Sequence, residues 1–518
     1  MSASSPYQRA LRRFAIAVCS FMLAAGAAAQ TSSPFQPPEQ RWGRYVINSG
    51  PGLDTGCTFR SEGPLVIQFR VFATMNPAEL NADGTLKDPQ KLIDKKVLDR
   101  FVTLSMPVFD IDSASGEVDY VSLNGRRILT LTGANNTWTD AWGAGAAAQV
   151  EVSQLKFSTS LTSGPINEIR IDIDQASPPG QDNWCMSVDW VAVEFRAAFP
   201  IVLAHGIAAD ASTWDQASAD GVLDELTRTG VRFTRFSTSN SSGRVADNAG
   251  ELRSQIAAYL QPMLAKKVNI IAHSKGGLDS QYLAYLNPTE FEVLGLGTLS
   301  TPHRGSSVAD VQLIQLVQAN TYVQTGRDPG GYAAEFVNRS LAAFGTNVLG
   351  QGPQQPGLGD LTTQSAEAAL RLRQRGNVPN TFTVAADAGP NCQREPTRAE
   401  LDQMIPSFAN AILFGYITSS LQNAYMVMCN VASAKEVSRV TTQGVVCTRG
   451  GCFPVPLVTL TYDVVPSSGP QPNDAVVTVG SAHPGYGSAV TTNAGTNHSE
   501  VKRRSNVQEL LKRILPLE

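Results

Sequence analysis

The apolar positions of the chain follow two different patterns, and the change falls near residue 199. Before it, short segments such as residues 65–72 and 168–174 alternate apolar and polar side chains over much of their length. Alternation of this kind predicts β-strands with one face in solvent. After it, apolar runs at residues 201–204 and 268–272, the second interrupted only by Asn269, are separated by stretches with helical spacing. Buried strands that alternate with helices favour a mostly parallel sheet with helices on both faces.

Two domains are therefore expected. The Gly, Asn, Asp and Pro residues between the short strands predict a jelly-roll-like β-sandwich over residues 30–198. An α/β domain is expected over residues 199–518, and a chain of 518 residues is long enough for both. Two stretches of the second domain, residues 308–380 and 392–452, contain apolar segments and are interpreted as inserts. Such inserts commonly form lids, although core helices are the simpler interpretation for some of their residues.

A serine flanked by small residues ends one of the apolar runs. The run continues as Ala272-His273-Ser274-Lys275-Gly276, and a helical pattern follows from Leu278. Strand, sharp turn and helix in this order are typical of a nucleophile elbow, in which a serine in a strained turn needs small neighbours. Ala272 and Gly276 meet this requirement, so Ser274 is the predicted nucleophile. The alternative is an ordinary strand-to-helix turn with an incidental serine.

A second motif, His205-Gly206-Ile207, follows the apolar run at residues 201–204. In esterases with a nucleophile elbow, the loop at this position provides one backbone N–H to the oxyanion hole, and the residue after the nucleophile provides the other. We therefore predict that the N–H groups of Ile207 and Lys275 are the two donors. His205 is expected to hold its loop in place.

Together these motifs resemble the secreted bacterial triacylglycerol lipases of the α/β-hydrolase fold. The resemblance extends from about residue 199 to the C-terminus and does not include the first domain. It implies hydrolysis of acylglycerols or similar esters through a Ser-His-Asp triad, with no cofactor required. Lys275 departs from the residue types expected after the serine. The matching motifs are His205-Gly206, residues 272–277, Thr301-Pro302-His303-Arg304-Gly305-Ser306, Asp360-Leu361-Thr362-Thr363 and Asn497-His498.

Chain order helps to assign the remaining catalytic groups, because the acid and then the base follow the nucleophile in this fold. His498 lies in a loop before a C-terminal helical pattern, where the family has its base, and His483 is the alternative. The acid is expected to be Asp474, because this residue and its neighbours resemble the lipase Asn-Asp-x-x-Val stretch. Asp387 and Asp463, which each follow a predicted strand, are the alternatives.

Charge and composition exclude some classes of protein. The net charge is −4, 17% of the residues are charged, and no basic block suggests a nucleic-acid partner. Three arginines, an apolar run and alanines at residues 27–29 predict a signal peptide over residues 1–29. The run is too short for a membrane span, so no transmembrane anchor is expected. We therefore predict secretion, with the periplasm as the alternative location.

Cysteine usage agrees with export. One of the seven cysteines lies in the predicted signal peptide, and the other six form an even set, as in many disulfide-bonded secreted proteins. The sequence does not determine their pairing, and a nearest-neighbour grouping joins Cys57 to Cys185, Cys392 to Cys429, and Cys447 to Cys452. No CxxC or adjacent histidine pattern supports zinc, and no metal is assigned to the active site.

The first domain has two competing interpretations: binding of a polymer, sugar or surface, and structural support for the catalytic domain. Four acidic residues favour a structural calcium site or, equally, a solvated acidic turn: Asp110, Asp112, Glu117 and Asp119. A calcium ion near the triad would use Glu500 and Asp463, but the match to known motifs is poor.

The preferred function is a secreted serine hydrolase, a triacylglycerol lipase or carboxylesterase, that cleaves carboxylic esters through an acyl-enzyme on Ser274. One alternative is an extracellular polyester depolymerase whose β-domain binds the polymer. Another is a catalytically silent binding or adhesion protein on a hydrolase scaffold, and a complete triad with both oxyanion positions argues against it. A triad does not discriminate between leaving groups, so neither acyl-chain preference nor the natural substrate follows from the motifs.

Overall fold

A computed structural model describes most of the chain, and the described part divides into two compact units. The first unit comprises the described residues up to Ala73, Leu80–Pro89 and Asp99–Arg196; the second comprises Thr74–Glu79, Gln90–Leu98 and the described residues from Ala197 onward. The described residues are 33–53, 56–178, 184–207, 209–215, 221–307, 309, 356–371, 378, 380–389 and 471–518, with the backbone of 437–448 and 451–462.

Short strands build the first unit: β1 (Arg44–Ile47), β2 (Thr58–Phe59), β3 (Leu65–Phe69), β4 (Val71–Phe72), β5 (Phe101–Ser105), β6 (Val108–Phe109), β7 (Tyr120–Leu123), β8 (Arg126–Thr130), β9 (Trp138–Thr139), β10 (Ala147–Glu151), β11 (Phe157–Ser158), β12 (Asn167–Asp172), β13 (Cys185–Val188) and β14 (Val191–Glu194). They form antiparallel sheets in the orders β1-β14-β5-β10, β3-β12-β7-β8 and β2-β13-β6-β9, and β4 pairs with β11 in parallel. The predicted N-terminal β-domain is confirmed.

Strand β12 shows how the alternating pattern arises. Ile169 and Ile171 are completely buried, whereas Arg170 between them is exposed. The predicted strand at residues 65–72 is in fact two strands, because β3 pairs with β12 and β4 pairs with β11. The alternation stops at Val71 and Phe72, which are both buried, and this is where the chain changes its pairing partner.

A disulfide joins Cys57 to Cys185 across 128 residues, with their Cα atoms 5.4 Å apart. Cys185 begins β13, which pairs with β2, so the disulfide connects neighbouring strands. The first predicted cysteine pair is therefore confirmed. Cys392 and Cys429 lie outside the described residues.

A parallel sheet is the centre of the second unit, whose strands are β15 (Ile201–Ala204), β16 (Phe233–Phe236), β17 (Lys267–His273), β18 (Glu292–Leu299), β19 (Asn380–Asp387), β20 (Val437–Thr448), β21 (Gly451–Tyr462) and β22 (Ser488–Ala494). Six of them pair in parallel in the order β16-β15-β17-β18-β19-β22, which confirms the predicted parallel sheet. Strands β20 and β21 form an antiparallel hairpin in which Cys447 and Cys452 are register partners, although the side chains there lie outside the described part of the chain.

The helices of the described chain are α1 (Pro89–Asp94), α2 (Val222–Thr229), α3 (Val245–Leu260), α4 (Lys275–Tyr285), α5 (Pro356–Asp360), α6 (Thr363–Arg371), α7 (Val479–Ala482) and α8 (Arg504–Ile514). Helix α8 packs against β18, where a Cβ on Gly297 would lie 2.9 Å from Cδ1 of Leu510. Glycine therefore lets this helix approach the sheet closely. None of the helices in the described ranges combines the length and apolar character that a membrane crossing requires.

Two short segments from the predicted first domain pack with the second unit instead. Met75 forms a β-bridge with Val231, and Leu98 forms one with Ala197. Leu92 of α1 is completely buried. Each segment is too short to show a period, so its packing partner could not be recognised from the apolar pattern.

Candidate active site

Ser274 lies between the end of β17 and the start of α4, at the carboxyl edge of the parallel sheet. Its backbone has φ 55° and ψ −131°, a strained conformation that persists only when the surrounding structure supports it. Part of this support is a hydrogen bond of 3.0 Å from its N–H to the carbonyl oxygen of Leu299 at the end of β18. The structure therefore has a strand, a strained turn and a helix at this serine.

Glycines allow the loop after β15 to contact the turn at Ser274. A Cβ on Gly276 would overlap the carbonyl oxygen of His205, and a Cβ on Gly206 would lie 2.8 Å from the Cβ of Ser274. Both approaches are closer than a side chain tolerates. The small residues of the two sequence motifs thus serve one contact, which brings the His205-Gly206-Ile207 loop next to the serine.

The predicted nucleophile, base and acid are adjacent in the structure. Nε2 of His498 lies 2.9 Å from Oγ of Ser274, and its Nδ1 lies 2.8 Å from Oδ2 of Asp474. A carboxylate can only accept, so Nδ1 carries the proton and Nε2 is free to accept from the serine hydroxyl. Asp474 is completely buried, and Ser274 is 6% exposed.

Backbone hydrogen bonds fix the carboxylate of Asp474. Its Oδ1 accepts from the N–H of Val476 at 3.0 Å and from that of Val477 at 2.7 Å. The turn has Ala475 at φ 79°, and Oδ1 of Asn473 accepts from the N–H of Ala475 at 2.9 Å. Because one carboxylate oxygen is held by two donors, the other is directed at the histidine.

The loop that carries His498 is also held by hydrogen bonds. Oδ1 of Asn497 accepts from the N–H groups of Ser499 and Glu500, both at 3.0 Å. Oε2 of Glu500 accepts in return from the N–H of Asn497 at 2.9 Å. Glu500, considered as a calcium ligand from the sequence, thus has a structural partner here, and Asp463 lies outside the described residues.

His273 contributes to the site, and sequence reasoning assigned it no role. Its Nε2 lies 2.8 Å from the carbonyl oxygen of His498, and the two rings are 4.8 Å apart. The carbonyl only accepts, so Nε2 of His273 donates. Burial holds the pKa of His273 well below its ordinary value, so the ring is neutral. The sequence offered one clue to this role, the position of His273 directly before the serine. Its hydrogen-bond partner, His498, is 225 residues away in the chain.

The alternative acid and base residues have other partners. Nδ1 of His483 lies 2.7 Å from Oγ1 of Thr383, and its Nε2 lies 3.1 Å from Oγ1 of Thr492. Oδ1 of Asp387 accepts from the N–H of Gly389 at 2.9 Å. The side chain of His483 therefore links β19 to β22, and the side chain of Asp387 holds the backbone just after β19.

His205 holds its loop through two hydrogen bonds. Its Nδ1 lies 2.9 Å from the carbonyl oxygen of Gly206, and its Nε2 accepts from the N–H of Thr238 at 3.1 Å. Burial lowers the pKa of His205, which favours the neutral ring that this pattern requires. The adjacent Ile207 is partly buried against an apolar cluster: Leu278, Ala309, Leu358 and Leu361.

Lys275, whose N–H is the other predicted oxyanion donor, is the first residue of α4. The N–H groups of a helical first turn have no partner within the helix. The lysine side chain is completely buried and forms an ion pair with Asp279. Burial raises the pKa of Asp279 to about 6, although the ammonium of Lys275 opposes the shift.

Three of the four clustered acidic residues of the first unit are buried rather than solvated, namely Asp112, Glu117 and Asp119, and Asp110 is partly exposed. Oε2 of Glu117 accepts from the N–H of Asp112 at 2.7 Å, and Oδ1 of Asp119 accepts from the N–H of Asp174 at 2.8 Å. Burial raises the pKa of Glu117 to about 8 and that of Asp119 to about 6. Among the described residues, one group of three possible metal ligands lies nearby, but it contains both cysteines of the disulfide: Cys57, Asp110 and Cys185.

Part of the chain is similar to curated lipases. A triacylglycerol lipase of Burkholderia plantarii is 33% identical over 217 residues, which are 39% of this chain and 54% of the relative. A triacylglycerol lipase of Pseudarthrobacter phenanthrenivorans is 33% identical over 207 residues, or 38% and 57% of the two chains. A third, from Vibrio cholerae serotype O1, is 35% identical over 188 residues, or 35% and 54%.

The chain spans about half the length of the curated relatives it matches. No family model matches it. The similarity therefore relates the chain to triacylglycerol lipases over part of its length.

Proposed function

We propose that the protein is a serine hydrolase of carboxylic esters. The observation that carries this proposal is the unbroken hydrogen-bonded chain from Ser274 through His498 to Asp474, with distances of 2.9 and 2.8 Å. Nucleophile and base within hydrogen-bond reach, with the base oriented by a third group, is the arrangement that activates a serine. The similarity to triacylglycerol lipases supports ester hydrolysis as the reaction.

The first half of the reaction forms an acyl-enzyme. Oγ of Ser274 attacks the ester carbonyl carbon while Nε2 of His498 takes the hydroxyl proton, and the carbonyl π electrons move to oxygen. The N–H groups of Ile207 and Lys275 stabilise this oxyanion. Asp474 orients and stabilises the imidazolium of His498. Collapse of the intermediate breaks the bond to the alcohol, which takes its proton from Nε2.

The second half repeats these steps with water. His498 removes a proton from water, the hydroxide adds to the acyl carbon, and the carboxylic acid leaves as Oγ of Ser274 regains the proton. No step requires a metal or a cofactor. Acylglycerols are the proposed substrate class, since each of the three similar proteins is named a triacylglycerol lipase.

The protein is proposed to be exported from the cytoplasm. The disulfide between Cys57 and Cys185 supports it, because such bonds persist mainly in oxidising compartments. The signal-peptide pattern of residues 1–29 points the same way, and these residues lie outside the described part of the chain.

Hydrolysis of p-nitrophenyl esters of short to long acyl chains, followed by emulsified triglyceride and a polyester film, tests the function. Ser274→Ala is expected to lower kcat by roughly 10⁴- to 10⁶-fold, as loss of a triad nucleophile does. Ser254→Ala, at an exposed serine of α3, is the matched control and should retain activity.

The outcomes discriminate between the candidate functions. Activity that rises with chain length supports a lipase, short-chain activity alone supports an esterase, and turnover of the film in preference to lipid supports a polyester depolymerase. An absence of Ser274-dependent hydrolysis of every ester would refute the enzymatic function and leave a binding protein.

A further inference from the structure

A buried ion pair lies directly behind the serine turn. Nζ of Lys275 lies 2.8 Å from Oδ1 and 3.1 Å from Oδ2 of Asp279, one turn later on α4. Neither residue is more than 5% exposed. Burying two charges is costly even when they are paired, and apolar side chains of similar size often stabilise a protein as well or better. A contribution to stability therefore does not explain this ion pair. Its position next to the serine suggests a role in the active site.

The pair is enclosed by two further helices. Asn248 of α3 hydrogen-bonds to the carboxylate of Asp279. On the side of α5, a Cβ on Gly357 would lie 2.9 Å from Cε of Lys275. The carboxylate of Asp360, which ends α5, accepts from the first N–H of α3 at 2.8 Å, from Val245. The lysine side chain is thus held at both its stem and its ammonium.

Two points of attachment fix the first turn of α4. The carboxylate of Asp279 holds the end of the Lys275 side chain, and the strained turn at Ser274 holds its backbone. The intervening peptide carries the N–H assigned to the oxyanion hole. An oxyanion donor is effective only if it is already directed at the position that the oxyanion will occupy.

We propose that the ion pair between Lys275 and Asp279 positions the backbone N–H of Lys275 for oxyanion stabilisation. This inference rests on the proposed serine hydrolase function. Lys275 is then a positioning residue through its side chain and an oxyanion donor through its backbone. Lys275 differs from the residue types expected after the serine in similar lipases. In this proposal its side chain positions the backbone, and its ammonium does not need to contact the substrate.

The test compares single and double variants with p-nitrophenyl esters and with an alkyl trifluoromethyl ketone. The ketone accepts Oγ of Ser274 at its carbonyl carbon and places the resulting oxyanion in the hole. Lys275→Met and Asp279→Asn should each lower kcat by about tenfold with little change in KM, because the donor acts only in the transition state. Inhibition by the ketone should weaken by the same factor.

The double variant Lys275→Met/Asp279→Leu separates positioning from stability. Its melting temperature should equal or exceed that of the wild type, since no unpaired charge is buried, while kcat and ketone affinity should stay low. Arg253→Gln is the control: it breaks the exposed ion pair between Arg253 of α3 and Glu290, and it should change neither kcat nor ketone affinity.

Recovery of wild-type kcat and ketone affinity in the double variant would overturn the inference, because the pair would then act only on folding. Single variants with wild-type kcat would overturn it as well, and both results leave the hydrolase function intact. A wild-type protein inert toward esters and ketone would remove the proposed function, and the inference with it.

Discussion

At the scale of single residues, the catalytic base depends on a side chain outside the triad. Nε2 of His273 donates to the carbonyl oxygen of His498 at 2.8 Å, while Nε2 of His498 lies 2.9 Å from Oγ of Ser274. His273 therefore holds the backbone of the residue whose ring accepts the serine proton.

His273 is expected to be a positioning residue for the base. His273→Phe keeps an aromatic ring but leaves the carbonyl of His498 without its donor, at a cost of about 1–3 kcal/mol. We expect kcat on p-nitrophenyl esters to fall by about tenfold, which corresponds to about 1.4 kcal/mol. The control is His483→Phe, which removes two hydrogen bonds outside the triad and should preserve kcat. Equal losses in both variants would contradict a specific role for His273.

Local motifs predicted Ser274, His498 and Asp474, which the fold brings together. The contact of His273 could not be predicted in this way, because its partner is the carbonyl of a residue in a distant loop. A side chain that supports a backbone group leaves no spacing pattern, so the contact becomes visible only in three dimensions.

At the scale of elements, periodicity predicted strands where burial alternates and missed contacts made by short segments. Strand β12 follows its pattern from residue to residue, with Ile169 and Ile171 inside. The packing partners of helix α1 and of the segment Thr74–Glu79 cannot be predicted from the sequence, because each has few apolar side chains. Met75 forms a bridge with Val231, and Leu98 forms one with Ala197. Both partners lie far away in the chain.

The disulfide of the first unit is expected to stabilise its sheets. Closing a loop between residues separated by 128 positions restricts the unfolded chain, and removing such a bond typically costs about 2–5 kcal/mol. The double variant Cys57→Ser/Cys185→Ser should therefore unfold at lower urea concentration than the wild type. Ser61→Ala, at an exposed serine of the same unit, is the comparison and should leave the midpoint unchanged. An unchanged midpoint would show that the strands need no covalent link.

At the scale of the whole molecule, a sequence predicts repeated structural patterns better than it predicts which charged groups are buried. The parallel sheet and the β-domain could be predicted because each repeats one pattern over many residues. The surroundings of Glu117 and Asp119 could not, because the acidic cluster looked equally like a solvated turn. The structure buries both carboxyl groups, at 3% and 0% exposure, and burial determines their protonation.

Glu117 is expected to make stability fall as pH rises. Its pKa is about 8 in the folded protein against an ordinary 4.5, so between these values the folded state binds a proton that the unfolded state has lost. The stabilisation is complete below pH 4.5 and is lost as pH passes about 8. Glu117→Gln mimics the protonated group, so its melting temperature should match the wild type at pH 4.5 and exceed it at pH 9.

The same variant distinguishes protonation of the buried carboxyl groups from binding of a calcium ion. Asp119 also has a raised pKa, and its proton and that of Glu117 reduce the repulsion between the two carboxyl groups. If a proton on Glu117 fills this role, added calcium or a chelator should leave the melting temperature of the wild type unchanged at pH 7, where Glu117 still holds its proton. A calcium site requires the reverse: the wild type would melt lower in chelator, and Glu117→Gln would lose stability at pH 9 because a ligand is gone. Scanning calorimetry of both proteins at pH 7 and pH 9, with and without calcium, decides whether protons or a calcium ion neutralise the buried carboxylates.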